Sequence, residues 1–191
     1  MAVAVERARR PFTVSEYERM AEVGILGPHE RVELIRGEIV EMSPIGPRHI
    51  AFVTSLTHLL VRSFDGRALV SVQSPVVVAD DSMLQPDLVL LRLRQPFHQP
   101  DKVSRPTQDD VLLVIEVAES SLRYDRIVKL RLYAEVGLPE YWVVDGEADA
   151  VEVYRDPAVQ GYRSVERVTG DRAVSPLVSP DVSLRLADIF A

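Results

Sequence analysis

The sequence predicts an α/β protein in which a mixed β-sheet is flanked by two main helices. Residues 86–91 and 111–118 are almost entirely apolar, which is typical of strands buried on both faces of a sheet. Apolar residues recur with helical spacing over residues 48–64 and 122–136. The two strand-like segments lie between the two helix-like segments along the chain, which favours a mixed sheet flanked by helices.

The first elements are a helix and a β-hairpin. Residues 13–23 form the predicted helix, with Thr13 or Ser15 as its N-cap. Residues 31–42 carry apolar side chains on both arms and turn at Arg36-Gly37, which predicts an N-terminal β-hairpin. The predicted helix over 48–64 follows a break rich in proline and glycine.

Shorter segments complete the fold. Residues 92–108 are polar and contain three prolines, so we expect a loop. The helix over 122–136 ends at Gly137, and a C-terminal β-meander with tight turns follows it. The remaining expected strands, including those of the meander, are 68–72, 76–79, 141–144, 151–154 and 162–168. We expect one domain over residues 1–191, with residues 1–11 as a flexible N-terminal arm.

Composition excludes several classes of site. The chain has 191 residues, a net charge of −7 and no cysteine, which rules out disulfides, thiolate zinc sites, iron–sulfur clusters and cysteine nucleophiles. The longest apolar run, 111–115, is too short to cross a membrane, so we expect a cytoplasmic protein. A pI of about 5.2 argues against a broad basic surface for nucleic acid. No phosphate-binding loop or dinucleotide-binding motif is present, so we expect no nucleotide or organic cofactor.

Two carboxylates stand beside or within the buried strands. Glu116 interrupts the apolar run 111–118, and a buried carboxylate needs a partner, a proton or a bound cation. Asp87 follows Pro86 at the start of the neighbouring strand. Each residue also has a purely structural interpretation: Asp87 as a strand-end residue, and Glu116 as a satisfied buried acid.

Lys129 is an unusual residue in the helix over 122–136. A helical wheel places it among apolar neighbours, on the same stripe as Asp125 and Tyr133. Lys129 and Lys102 are the sole lysines among 22 basic residues. One interpretation is a lysine whose stem is buried and whose ammonium pairs with Asp125 at i−4. The other is a desolvated ammonium that takes part in phosphodiester chemistry.

These residues predict one site. Carboxylates from adjacent strands can hold a hard cation such as Mg²⁺, or Mn²⁺ in its place, with water and substrate completing the shell. Such a cation activates water and polarises a phosphoryl oxygen, while the ammonium of Lys129 stabilises developing charge or orients the attacking water. Glu33 on the hairpin could add a third carboxylate, or it could be a surface strand residue.

The order of these motifs resembles the PD-(D/E)xK nuclease superfamily and, within it, the Uma2 family of restriction-endonuclease-like proteins. The resemblance covers nearly the whole chain from Phe12. Its superfamily lysine would fall at Ala118, and in the Uma2 family a lysine of the following helix replaces it, which corresponds to Lys129. The matching segments are ELIRGEIVEMSP (33–44), His49, QPDLVLL (85–91), VIEVAESS (114–121) and DRIVKLRLYAEVGLPEYWVVD (125–145).

The resemblance implies a restriction-endonuclease-like fold and a Mg²⁺-dependent endonuclease that hydrolyses DNA phosphodiester bonds. It implies metal binding by Asp87 and Glu116, with the Val117 carbonyl as a possible further ligand. It also implies a catalytic role for Lys129 and support from Glu33. A symmetric homodimer would allow such a fold to cut both strands.

Other residues are weaker candidates. His49 either faces the site or caps its helix, Asp125 is expected to orient Lys129, and Tyr133 is expected to pack. Two segments, 92–105 and 123–131, each have a local charge of +3 and could contact phosphates, although charged runs of this kind are usually solvated faces. The nucleic-acid-binding candidates in them are Arg92, Arg94, Lys102, Arg105, Arg123 and Arg126.

Two alternatives to a nuclease stay open. The first is a catalytically silent nucleic-acid-binding or regulatory protein with the same fold, which the acidic pI favours and the presence of the carboxylates and Lys129 disfavours. The second is a metal-dependent hydrolase of small phosphoesters, which a narrow pocket without a basic groove would favour.

Overall fold

The structure, a computed structural model, describes residues 9–93 and 105–191. Thr13 caps the first helix through a reciprocal capping box with Glu16, as the sequence predicts. The helices are α1 Val14–Glu22, α2 Pro47–Ser63, α3 Leu122–Tyr124, α4 Leu130–Glu135 and α5 Leu186–Ile189. The strands are β1 Val32–Ile35, β2 Glu38–Glu41, β3 Ala68–Val72, β4 Val76–Ala79, β5 Ser82–Leu84, β6 Leu88–Arg92, β7 Val111–Ala118, β8 Glu140–Asp145, β9 Ala150–Ala158, β10 Gly161–Thr169, β11 Ala173–Val174 and β12 Leu184–Arg185.

A six-stranded mixed sheet forms the centre of the fold, in the order β10-β9-β8-β7-β6-β3. Its strands pair antiparallel except β7 and β8, which are parallel and are joined by the helical segment between them. Every side chain of β7 is buried, as its apolar sequence predicts. The predicted α/β class with a mixed sheet, flanking helices and a C-terminal β-meander is therefore confirmed.

A second sheet of four strands contains the predicted hairpin, in the order β2-β1-β5-β4. Arg36 and Gly37 both have positive φ, 51° and 75°, which is the backbone of the two-residue turn that suits a hairpin. Strand β5 was not expected from the sequence, because three residues are too few to show a period. It brings Glu33 on β1 close to the segment that leads into β6.

Helices cover both faces of the central sheet. On one face, Phe52, Leu56 and Leu60 of α2 pack with Ile115 and Val117 in a continuous hydrophobic core. On the other face, the core contains Leu132 and Tyr133 of α4 with Val114 and Ala118 of β7. Side chains alternate along a strand, so Glu116 faces the same side as Val114 and Ala118, toward the helix that carries Lys129.

The predicted helix over 122–136 contains a π-helical turn, Asp125–Lys129, between α3 and α4. Periodicity at 100° per residue cannot distinguish this turn from a regular α-helix. Asp125 and Lys129 are nevertheless both buried, as the wheel predicts. π-helical turns are rare and are frequent at functional sites.

Residues 1–8 of the predicted flexible arm lie outside the described residues, and its flexibility stays a prediction. Arg9 and Arg10, at the end of that arm, form exposed ion pairs with Glu38 and Glu16. Across residues 9–93 and 105–191, the structure contains no helix that is long and apolar enough to span a membrane.

Candidate active site

A pocket of about 270 Å³ lies where β6, β7, the hairpin and the π-helical turn meet. The fold brings most of the predicted site residues together in the lining of this pocket. They are Glu33, His49, Asp87, Glu116, Val117, Asp125 and Lys129. Its lining includes Arg31 and Lys129 as basic side chains, against a larger set of acids. The carboxylates of the lining are Glu33, Glu41, Asp87, Glu116, Glu119 and Asp125.

Asp87 lies directly before β6 and is held by donors from two other elements. Its Oδ2 accepts a hydrogen bond of 2.9 Å from the Val117 N–H, and its Oδ1 lies 2.9 Å from Nε2 of His49. Burial raises the pKa of the Asp87 carboxyl, but the His49 and Val117 donors outweigh burial and lower it below its ordinary value. Asp87 is therefore an ionised carboxylate in a fixed orientation.

The Val117 carbonyl faces the same side of the strand as Asp87. In a central strand, the N–H and C=O of one residue face the same neighbouring strand, and those of the next residue face the strand on the other side. The Ala118 carbonyl accepts from Gly146, next to β8, whereas the Val117 N–H donates to Asp87, next to β6. The Val117 carbonyl thus faces the Asp87 side, which is the orientation that a backbone ligand requires.

Glu116 is 4 % exposed and is paired inside the protein. Its Oε1 accepts hydrogen bonds of 2.9 Å from Nζ of Lys129 and 3.0 Å from the hydroxyl of Tyr133. Burial raises the pKa of Glu116 well above its ordinary value, and the nearby Lys129 ammonium offsets part of this effect. Burial therefore favours the neutral form of this carboxyl, whereas the Lys129 ammonium favours the ionised form.

Lys129 extends from the π-helical turn to the carboxylates. Its Nζ lies 2.9 Å from Oε1 of Glu116 and 3.3 Å from Oε1 of Glu33. Burial lowers the pKa of Lys129, but Glu116, Glu33 and Asp125 outweigh burial and raise it. The ammonium is therefore charged at neutral pH, and the surface interpretation of Glu33 is wrong because that residue is 4 % exposed.

Asp125 and Tyr133 lie beside this pair. The expected hydrogen bond from Lys129 to Asp125 is not formed: Asp125 accepts from the Ser121 hydroxyl at 2.6 Å, while Lys129 bonds to Glu116 and Glu33. Burial raises the pKa of Asp125, with Lys129 and Ser121 opposing it. Tyr133 packs in the core as expected, and its hydroxyl also positions Glu116.

His49 lies in the first turn of α2 and contacts Asp87. Gly46 is the N-cap of α2, and this helix end has no side-chain cap hydrogen bond, so the capping interpretation of His49 is wrong. Its Nδ1 is buried without a hydrogen-bond partner. Nε2 of the ring lies 2.9 Å from Oδ1 of Asp87, so His49 contacts the site through this nitrogen.

The donor set fits a hard divalent cation bound by few side chains. Within the described ranges, no group of three or more histidine or acidic side chains is arranged to hold a metal ion. Mg²⁺ requires one or two carboxylates, because water and substrate oxygens complete its shell. Oε2 of Glu116 accepts no hydrogen bond from any described residue, and the acidic lining favours a cation.

None of the four predicted phosphate-binding residues that the structure describes lines this pocket. Arg92 is at the far end of β6, roughly 16 Å along the strand from Asp87 at ~3.3 Å per residue. Arg105 forms an ion pair with Glu18. Arg94 and Lys102 lie outside the described residues.

The other two basic candidates lie on the helical segment. Arg126 makes two hydrogen bonds to Glu152, at 2.6 and 2.8 Å, which commits its guanidinium to an internal carboxylate. Arg123 is exposed and lines a shallow depression that shares Glu119 and Ser120 with the main pocket. Nucleic-acid contact by these residues stays a prediction.

Sequence reasoning missed two glutamines. Gln73 donates from Nε2 to Oδ1 of Asp87 at 3.3 Å, and the backbone N–H of Gln85 donates to Oε1 of Glu33 at 2.7 Å. Gln85 directly precedes Pro86-Asp87, so proximity to that motif was a usable signal. Gln73 is distant in sequence and gave none.

Comparisons with known proteins bear on the fold and the family of this chain. The crystal structure of a "putative nuclease belonging to DUF820" from Anabaena variabilis is similar, with a TM-score of 0.73 and 17 % identity. The similarity covers 94 % of this chain and 98 % of that one, and at this identity it shows the shared fold. No curated protein matches the chain.

The family comparison extends over most of the sequence. Residues 14–187 match the model of Uma2, described as "Putative restriction endonuclease". This family and the fold of the Anabaena protein together indicate a restriction-endonuclease-like nuclease. The chain belongs to the Uma2 family.

Proposed function

We propose that the protein is a Mg²⁺-dependent endonuclease that hydrolyses DNA phosphodiester bonds at the pocket around Asp87 and Glu116. One observation carries the proposal: an ionised Asp87, a buried Glu116 and the ammonium of Lys129 share one pocket on adjacent elements. This combination suits a phosphodiester, because it provides oxygen ligands for a cation and a positive group for the phosphate.

Asp87, Glu116 and the Val117 carbonyl would hold the cation. When bound, the cation supplies Lewis-acid activation of water and of the scissile phosphate. His49 holds Asp87 through Nε2, and the Tyr133 hydroxyl holds Glu116. These bonds fix both carboxylates before substrate arrives, so binding requires little reorganisation.

Lys129 would act at the scissile phosphate. Its Nζ is held between Glu116 and Glu33, so it can donate to a phosphoryl oxygen or orient the attacking water. Glu33 keeps the ammonium directed into the pocket and is itself fixed by the Gln85 N–H. The carboxylate of Asp125 adds to the field that keeps Lys129 charged.

The proposal includes a cytoplasmic location and a homodimer, in which two symmetric sites would cut both strands. Mn²⁺ is expected to replace Mg²⁺, since both accept octahedral oxygen ligands.

A hydrolase of small phosphoesters is the second candidate. The pocket is small, about 270 Å³, and most of the charged side chains that line it are acidic. Arg105 and Arg126, two of the predicted phosphate contacts, are paired with carboxylates instead. A silent nucleic-acid-binding protein is the third candidate, and it does not require the Lys129–Glu116 arrangement.

DNA cleavage tests the proposal. Plasmid and single-stranded DNA are incubated with Mg²⁺ or Mn²⁺ and wild-type protein, Asp87→Asn, Glu116→Gln or Lys129→Ala. Cleavage that needs metal and is lost in all three variants supports the nuclease. Cleavage that persists in the variants indicates contamination. Intact DNA with turnover of a small aryl phosphodiester supports the second candidate instead.

A further inference from the structure

Gln73 contacts both the main chain and the side chain of Asp87. Its backbone N–H donates to the Asp87 carbonyl at 3.0 Å, and its Nε2 donates to Oδ1 of Asp87 at 3.3 Å. An amide can bond to an ionised carboxylate only through its NH₂ group, so the orientation of the Gln73 side chain is defined. Gln73 thus holds Asp87 at two points, the backbone carbonyl and the side-chain carboxylate.

The backbone of Gln73 adopts a conformation that is uncommon for its residue type. Gln73 connects β3 to β4 with φ of +44°, in the left-handed region that favours glycine. Nε2 of Gln85 donates to the Gln73 carbonyl at 2.7 Å and helps hold this conformation. Strained residues held in this way cluster at functional sites.

Gln73 and Gln85 connect two carboxylates of the pocket, those of Glu33 and Asp87. Gln85 bonds to Glu33 through its backbone and to Gln73 through its side chain, and Gln73 bonds to Asp87. One chain of hydrogen bonds therefore links Glu33 on the hairpin to Asp87 before β6. A shift of Gln73 would move Asp87 relative to Glu33.

We propose that Gln73 is a positioning residue that fixes the Asp87 carboxylate for cation binding. The inference rests on the proposed metal site at Asp87 and Glu116. Together with His49 on Oδ1 and the Val117 N–H on Oδ2, Gln73 sets the rotamer of Asp87 and hence the direction of its remaining lone pairs. Loss of such an outer partner typically lowers metal affinity about 10- to 100-fold.

The test compares Gln73→Gly with the wild type. Glycine accepts a φ of +44° without steric cost, so this variant removes the amide while the backbone keeps its conformation. Asp149→Gly is the matched control, because Asp149 has a φ of +45° in an exposed turn between β8 and β9. Mn²⁺ affinity is measured by calorimetry, and thermal unfolding is measured without metal.

The expected result is Mn²⁺ binding at least tenfold weaker in Gln73→Gly than in the wild type, with a thermal midpoint that is unchanged or higher. Asp149→Gly is expected to bind Mn²⁺ like the wild type. Wild-type affinity in Gln73→Gly overturns this inference and leaves the proposed nuclease intact. If the wild type binds no Mn²⁺ at all, the proposed metal site and the role of Gln73 are both overturned.

Discussion

The ammonium of Lys129 lies 2.9 Å from Oε1 of Glu116, although the two residues are 13 positions apart and belong to adjacent layers of the fold, one a helix and the other a sheet. Glu116 belongs to the central strand β7, and Lys129 to the π-helical turn that covers it. Both side chains are more than nine-tenths buried. Removal of one partner should therefore be costly, because the other would stay buried without its counter-charge.

Removal of Lys129 should destabilise the metal-free protein. Lys129→Met leaves Glu116 and Glu33 buried without their cation, and breaking a buried pair costs about 3 kcal/mol. The free energy of unfolding is measured by urea denaturation in EDTA. In the double variant Lys129→Met/Glu116→Gln, the loss should be smaller than the sum of the two single losses. Additive losses would mean that the two side chains do not interact.

The Tyr133 hydroxyl should matter more than that of its neighbour Tyr141. Tyr133→Phe removes a 3.0 Å hydrogen bond to Glu116, and an intramolecular hydrogen bond contributes roughly 0.5–1.5 kcal/mol. Tyr141 is equally buried, but its hydroxyl makes a long contact of 3.4 Å with the Asp125 carbonyl. Chemical denaturation of Tyr133→Phe and Tyr141→Phe compares the two, and an equal loss in both would contradict the role given to Tyr133.

Glu152 should stabilise the fold in a pH-dependent way. Burial raises its pKa, but hydrogen bonds from Arg126, Tyr154 and Arg167 outweigh burial and lower it below the ordinary value of 4.5. A carboxyl whose folded pKa is lowered stabilises the protein above the unfolded pKa, and this stabilisation is lost as pH falls through the folded pKa. The difference in unfolding free energy between wild type and Glu152→Gln should therefore be large at pH 7 and shrink below about pH 4.5. A difference that is constant from pH 7 to pH 3 would contradict this linkage.

A divalent cation should be needed before DNA binds. The pocket lining contains six carboxylates against Arg31 and Lys129, so a phosphate meets net repulsion until a cation is bound. We expect an oligonucleotide to bind at least tenfold more tightly in Ca²⁺ than in EDTA, as measured by fluorescence anisotropy. Asp87→Asn should abolish this difference. Equal affinity in both buffers would indicate that DNA contacts the protein away from the pocket.

The sequence predicted those parts of the site that local pattern encodes. Glu116 stands out in an apolar strand, Asp87 follows Pro86 at a strand start, and Lys129 lies on the apolar stripe of its helix. Each of these polar residues departs from the apolar pattern of a single strand or helix, so the sequence of that element is enough to identify it. Two strands of the central sheet, β6 and β7, were predictable for the same reason, because nearly all of their residues are apolar.

The interactions that the sequence did not predict depend on tertiary contacts. Arg126 looks like a surface cation in sequence, but it bonds to Glu152, 26 positions away. The role of Gln73 depends on a left-handed backbone at a strand connection and on Asp87, 14 positions away. The prediction that Lys129 pairs with Asp125 was wrong. Spacing at i−4 favours that pair, but the fold brings Glu116 and Glu33 closer to the ammonium.

The helical origin of Lys129 affects how mutations distant from the pocket should act. A lysine at position 118 would be tied to Glu116 by two residues of the same strand, so its geometry would withstand loosening of the core. Lys129 instead keeps its position through the packing of Leu132 and Tyr133 against β7. Small cavities between that helix and the sheet should therefore displace the ammonium and reduce the proposed nuclease activity before they unfold the protein. The hydrophobic layer beneath Lys129 would then set the position of a charge as well as the stability of the fold.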